Sequence, residues 1–165
     1  MTWNKPVDLV KTFMDEHRTF MRGLSAVLEQ VKRDDLMAAR NLADELDQMA
    51  GPHIQFEEEI LYPEVGRARG QGLERQLRDE HSVIRNAIER LLDVDFAKAD
   101  LPKLRAELEV ALKTAVQHAE SCGTLISHLK TLSPVNQQEA IRRLCELRDI
   151  GTRWTELYDK TNTKT

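Results

Sequence analysis

Apolar residues recur three or four positions apart along most of the chain, which is the spacing of one face of an α-helix. The sequence contains five such stripes, separated by residues that typically begin or end helices. The predicted helix starts, each marked by a capping side chain or an early proline, lie at Asn4 with Pro6, Asp34–Asp35, Asp100 with Pro102, and Ser133–Pro134. No segment alternates with a period of two residues, so the pattern predicts no sheet.

The connections between the stripes are short, which favours antiparallel neighbours. The sequence therefore predicts an all-α fold: an antiparallel four-helix up-down bundle with an additional C-terminal helix. One domain spans residues 1–165, with the bundle over about 6–131 and the C-terminal helix over about 134–159.

Gly51–Pro52 predicts a kink or brief break in the second helix, which we expect to end at Pro63. Trp154 and Tyr158 lie on the last stripe, so we expect the C-terminal helix to pack on the bundle. Packing on a second subunit, in a homodimer, is the alternative to a monomer.

Composition and charge narrow the class of protein. The formal net charge is -4, and acidic and basic residues are interspersed, so no basic face for nucleic acid is expected. No apolar run reaches membrane-spanning length, and the N-terminal MTWNKPVDLV lacks the build of a secretory signal. We therefore expect a cytoplasmic protein without a membrane partner, in which Cys122 and Cys145 are free thiols.

The histidines carry the candidate chemistry. Four of the five lie near the middle of stripes on four different predicted helices: His17, His53, His81 and His118. A helix turns about 100° per residue, so Glu57 shares the inward face of His53, and Cys122 shares that of His118. Glu58 and Glu59 turn toward the helix flanks, and His128 is expected at a flank or on the surface.

A single histidine on an apolar stripe is usually a hydrogen-bonded core residue. Four on four packed helices would each need a buried partner, and leaving such a group unpaired costs roughly 1–3 kcal/mol. One metal centre would satisfy all four, because neutral imidazole is a good ligand and bundle cores build metal sites from inward-facing residues. The pattern therefore favours metal binding.

These residues resemble the hemerythrin-like, HHE cation-binding bundles over roughly residues 8 to 130. The matching motifs are DEHRTF, HIQFEEEILYP, DEHSVIRNAI and HAESCGTLISHL. In that family a helix pair is used twice, with one histidine on the first helix and His-x-x-x-Glu on the second. The resemblance implies two irons bridged by glutamates, with His17, His53, Glu57, His81 and His118 as ligands.

The second copy departs from the family pattern, because Cys122 stands where the second glutamate is expected. Its thiolate could ligate or bridge metal, since iron and zinc accept sulfur ligands. It could equally be a small buried residue that fills space. A centre with one iron, or one zinc, is therefore an open alternative.

The resemblance implies a protein that binds or senses dioxygen, nitric oxide, or the redox or iron state. A diatomic ligand is the expected partner. An oxidase or peroxidase-type enzyme with the same centre and a metal-free helical interaction module are the alternatives, and an enzymatic role stays open. Asp79 and Glu80, beside His81, are interpreted as solvated helix residues.

Overall fold

A computed structural model describes residues 7–158 of the chain. The protein is helical over this range, and no β-strand occurs between residues 7 and 158. The α-helices are α1 (Leu9–Lys32), α2 (Leu36–Phe56), α3 (Tyr62–Arg69), α4 (Gln71–Leu92), α5 (Leu101–Leu125) and α6 (Pro134–Ile150). A π-helical turn (Glu57–Leu61) joins α2 to α3, and 3-10 turns occupy Ile126–Thr131 and Trp154–Glu156. Within the described range, no helix is long and apolar enough to cross a membrane.

Capping side chains begin the helices largely where the sequence predicts. Asp35, Asp100 and Ser133 each accept a hydrogen bond from a backbone N–H in the first turn of α2, α5 and α6. Helix α1 begins at Leu9, with Asp8 as its cap. The predicted start at Asn4 and Pro6 lies outside the described residues.

The second predicted helix differs from its expected outline. Helix α2 is continuous through Gly51 and Pro52, so the predicted break is absent there. The helical hydrogen-bonding pattern changes instead at the π-helical turn, which begins five residues after Pro52. The prediction that this segment ends at Pro63 is wrong, because a proline in the first turn of a helix loses no needed hydrogen bond and α3 continues to Arg69.

Two apolar clusters fill the interior. Cluster A includes Leu24, Ile54, Ile88, Leu108 and Trp154, and cluster B includes Phe13, Phe56, Leu77, Leu125 and Leu144. Each of the four long helices contributes to both clusters, and a buried histidine lies where it passes from one to the other. Along α1 and α4 the chain runs from cluster B through the histidine into cluster A, as in Phe13–His17–Phe20 and Leu77–His81–Ile84. Along α2 and α5 it runs from cluster A into cluster B, as in Ala50–His53–Phe56 and Ala115–His118–Cys122. The histidines therefore form a polar layer between two apolar ones.

The C-terminal helix is shorter than predicted. Helix α6 ends at Ile150 rather than near residue 159, because Gly151 adopts a left-handed conformation (φ +62°) that closes the helix. Residues 151–158, here called the C-terminal strap, then fold back onto the bundle. Trp154 is fully buried, and the strap approaches α2 so closely that a Cβ at Gly51 would lie 1.7 Å from the carbonyl oxygen of Thr152. Trp154 and Tyr158 thus pack within the chain, through this strap.

Candidate metal centre

Three ligand atoms meet on the α1–α2 side of the polar layer. The Nδ1 of His17, the Nε2 of His53 and the Oε1 of Glu57 all lie within 4.8 Å of one another, and the three side chains are buried. The two ring nitrogens are 3.1 Å apart, and they lie 3.4 Å and 3.2 Å from the carboxylate oxygen. We call this group the first position.

The first position leaves an acceptor without a donor. Glu57 Oε1 is buried and makes no hydrogen bond, although the two imidazole nitrogens lie near it. An unpaired buried carboxylate oxygen is costly unless a cation compensates for its lost hydration. Two imidazole nitrogens and a carboxylate oxygen are a donor set that iron and zinc accept, so the residues fit a metal ion.

A second group of polar atoms lies on the α4–α5 side. The other carboxylate oxygen of Glu57 is 3.1 Å from His81 Nε2. The Tyr62 hydroxyl lies 2.8 Å from the same nitrogen, 3.4 Å from His118 Nε2 and 3.2 Å from Cys122 Sγ. Cys122 Sγ is itself 3.4 Å from His118 Nε2. We call this group the second position, and Glu57 contributes one oxygen to each position.

Three of the four histidines have a partner on the nitrogen that faces away from the centre. His17 Nε2 lies 2.6 Å from the Ala119 carbonyl oxygen, and His81 Nδ1 lies 2.9 Å from Glu58 Oε1. His118 Nδ1 bonds to Glu80. A carbonyl or carboxylate oxygen only accepts, so each outer nitrogen carries a proton and donates it. When such a ring is neutral, its inward nitrogen is unprotonated and can ligate, which is the usual arrangement of metal-binding histidines.

Charges in the metal-free centre are strongly coupled. Burial alone would raise the pKa of Glu57, but His53, His17 and His81 outweigh it and hold that pKa well below its usual range. Burial alone would lower the pKa of His81, but Glu57 and Glu58 raise it to about 9. Burial and the neighbouring charge of His81 lower the pKa of His118. At neutral pH the metal-free centre therefore holds an ionised Glu57 beside a protonated His81.

The two remaining polar groups of the second position are neutral donors. Burial, with the charge of Glu57, raises the pKa of the Tyr62 hydroxyl well above its usual value. The same two causes raise the pKa of the Cys122 thiol. Both groups keep their protons at neutral pH when no cation is present.

The structure brings all six predicted site residues into this centre: His17, His53, Glu57, His81, His118 and Cys122. His128 is half-buried in the 3-10 turn after α5, away from the centre, as expected. Three further side chains contact the centre. Glu58 and Glu80, which the sequence predicts at a helix flank and in solvent, bind His81 and His118, and Tyr62 has no predicted role.

The π-helical turn explains why Tyr62 and Glu58 reach the centre. Helical phase was counted at about 100° per residue, which holds only where hydrogen bonds run four residues back. Here the backbone N–H of Tyr62 bonds to the carbonyl of Glu57, five residues back. That wider turn places Tyr62 almost over Glu57 and keeps Glu58 near the interior. The sequence signal for this role is the tyrosine in the motif HIQFEEEILYP, because a buried Tyr62 needs a hydrogen-bond partner for its hydroxyl.

Comparison with known protein families gives a match over most of the chain. Residues 8–122 match the family described as Hemerythrin HHE cation binding domain. The span contains α1 to α4 and α5 as far as Cys122, and it ends before α6 and the C-terminal strap. Neither the curated proteins nor the solved structures yield a match.

Proposed function

The chain belongs to the hemerythrin HHE cation-binding domain family, and on that premise we propose that it is a non-haem diiron protein. We propose that it binds or senses a diatomic ligand such as dioxygen or nitric oxide. The observation that carries the proposal is the shared carboxylate of Glu57. One of its oxygens faces His17 and His53 without a hydrogen bond, and the other faces His81.

His17, His53 and Glu57 would hold a metal in the first position. His81, His118 and the second oxygen of Glu57 would hold one in the second, with Cys122 or Tyr62 as the added ligand on the cluster B side. Iron on imidazole and carboxylate ligands with an open coordination position binds diatomic molecules and changes oxidation state.

The surrounding residues suit such a centre. Clusters A and B exclude water from both sides, which strengthens every electrostatic interaction within the layer. Glu58 and Glu80 hold the rings of His81 and His118 with one nitrogen facing inward. Tyr62 contributes an O–H that can donate to a neighbouring acceptor.

The same proposal includes the antiparallel four-helix arrangement. The order of the two clusters reverses from α1 to α2 and from α4 to α5, as it would in helices that alternate in direction. The proposed partner is the diatomic ligand, bound by a monomer or homodimer, without nucleic acid or membrane.

A single-metal centre is the second candidate, and one observation favours it. Among the His, Cys, Asp and Glu side chains of the described residues, only His17, His53 and Glu57 form a group of three whose ligand atoms lie within 4.8 Å of one another. In the second position the Tyr62 hydroxyl already contacts four other groups: Glu57, His81, His118 and Cys122. A one-metal protein would keep the first position alone.

Metal analysis of the full chain tests both candidates. We expect two equivalents of iron after anaerobic reconstitution with ferrous iron, a change in the optical spectrum on adding nitric oxide, and a lower melting temperature after chelation. His53→Ala should lose metal, whereas His128→Ala, away from the centre, should keep it. One equivalent of iron would favour the single-metal candidate. A wild-type chain that takes up no metal and melts identically with and without chelator would end the proposal.

A further inference from the structure

We infer that Trp154 of the C-terminal strap is a gate residue, which controls how large a molecule can reach the metal centre from the cluster A side. The inference rests on the proposed function for what passes the gate. The evidence for the gate is the packing of the strap, which lies outside the residues that match the family.

Trp154 closes one wall of the centre together with Phe20. The Trp154 ring meets the Phe20 ring edge-on at 5.8 Å between centroids, and it meets the His81 ring edge-on at 6.2 Å. Phe20 in turn lies 5.3 Å from the ring of His53 and 6.3 Å from that of His17. This pair of aromatic rings therefore borders the first position and the second.

The strap lies near the surface, and Trp154 is its one fully buried residue. Trp154 is fully buried, whereas Gly151 and Glu156 on either side of it are exposed. An opening of the strap would therefore uncover the wall that Trp154 forms. The other residues around the centre lie in helical segments, whose backbone hydrogen bonds resist local opening.

Side-chain contacts from α2 and the π-helical turn hold the strap in place. The buried carboxylate of Asp47 accepts hydrogen bonds of 2.9 Å from both the backbone N–H and the hydroxyl of Thr155. The Tyr158 hydroxyl donates to Glu58 Oε1 at 2.5 Å, and the same oxygen accepts from His81 Nδ1. The strap is thus tied to the residue that orients His81.

The closed strap also carries an uncompensated group. The Trp154 indole nitrogen is buried and has no hydrogen-bond partner. An unsatisfied buried donor opposes closure, and surface segments outside the regular helices open at lower free energy than core helices. Small molecules could enter during brief openings, whereas larger ones need the strap fully displaced.

The rate of histidine modification measures access to the centre and does not require bound metal. The full chain, stripped of metal, is treated with diethyl pyrocarbonate, and modification of the four buried histidines is followed by peptide mass spectrometry, with His128 as the internal reference. Trp154→Ala and Asp47→Ala should each accelerate modification of the buried histidines by about tenfold or more, because a change of 1.4 kcal/mol in the opening free energy is a factor of ten. Leu144→Ala is the control, since it truncates a buried side chain of cluster B in α6 without touching the strap.

Iron-loaded protein gives the size test. Extraction by a bulky chelator should accelerate more than extraction by a small one in Trp154→Ala. Equal modification rates in the wild type, Trp154→Ala and Asp47→Ala would overturn the proposed gate. An acceleration in Leu144→Ala as large as in those two variants would also overturn it. If the wild type takes up no iron, the proposed diiron function fails, while the modification rates still decide the gate.

Discussion

Glu58 accepts a hydrogen bond from His81 at 2.9 Å, on the ring nitrogen opposite the one that faces Glu57. Two consecutive glutamates thus contact the two nitrogens of one imidazole, one from inside the centre and one from outside. This arrangement fixes the orientation of the ring and leaves its inward nitrogen directed at the second position.

Glu58→Gln should weaken metal binding while the fold persists. The amide can still meet His81 but brings no charge, and loss of such an outer partner typically lowers metal affinity about 10- to 100-fold. Titration of the metal-free protein with ferrous iron measures the change. Glu59→Gln is the matched control, because Glu59 lies at the surface and its partners among the described residues are Arg143 and Gln55. Equal metal affinities in Glu58→Gln and Glu59→Gln would show that Glu58 does not support metal binding.

The sequence predicts the polar layer well because the four histidines sit on regular α-helices, where counting 100° per residue works. The cluster of His17, His53, His81 and His118 follows from their place on the apolar stripes. The count fails where the hydrogen-bonding pattern changes. Nothing in the sequence of Glu57–Leu61 distinguishes a π-helical turn from an α-helical one, so counting 100° per residue does not place Tyr62 beside Glu57.

The end of α6 was missed for another reason. Leu144 and Leu147 continue a helical stripe toward Trp154, and the spacing alone gives no reason to stop. Gly151 ends the helix, yet from the sequence alone a glycine at this position is also compatible with close packing of one helix on another. The glycine that permits close packing is Gly51 on α2, opposite Thr152, and that pairing exists only in three dimensions.

Gly51→Ala should destabilise the protein and displace the C-terminal strap. The new methyl group would lie 1.7 Å from the Thr152 carbonyl oxygen, so the strap backbone must move, and forcing atoms into a packed site typically costs about 1–3 kcal/mol. Gly72→Ala is the control, because nothing lies within 4 Å of its added methyl group and alanine favours a helix by up to about 1 kcal/mol. Denaturant unfolding of both variants measures the difference. Loss of stability in Gly72→Ala but not in Gly51→Ala would contradict the close approach.

The added ligand of the second position can be identified by two substitutions. If Cys122 supplies it, iron-loaded protein should show a sulfur-to-iron charge-transfer band that disappears in Cys122→Ser, since a bound cation strongly favours the thiolate. If Tyr62 supplies it, the band should be a phenolate band that disappears in Tyr62→Phe. Cys122→Glu restores the residue that the family pattern expects, and it should raise occupancy of the second position. If Cys122→Ser, Tyr62→Phe and Cys122→Glu all leave the spectrum of the iron-loaded protein unchanged, the first position remains as the only proposed metal site.

Metal-free and metal-loaded protein should respond to pH in opposite directions. In the metal-free chain, the pKa of His81 is raised to about 9 from 6.5 by Glu57 and Glu58, which outweigh burial. Its contribution to stability is therefore fully present below pH 6.5 and is lost as the pH rises through 9; a shift of this size corresponds to about 3 kcal/mol. The pKa of Glu57 is lowered, so its contribution is present above pH 4.5 and is lost as the pH falls further.

Metal reverses the alkaline trend, because imidazole must be neutral to ligate and proton release therefore favours binding as the pH rises. We expect the melting temperature of the metal-free chain to fall between pH 6.5 and 9. The increase in melting temperature on loading with iron should grow over the same interval. Thermal melts with and without metal at several pH values measure both trends. His81→Gln should flatten the metal-free profile, and a profile that keeps its alkaline decline in that variant would show that another group governs it.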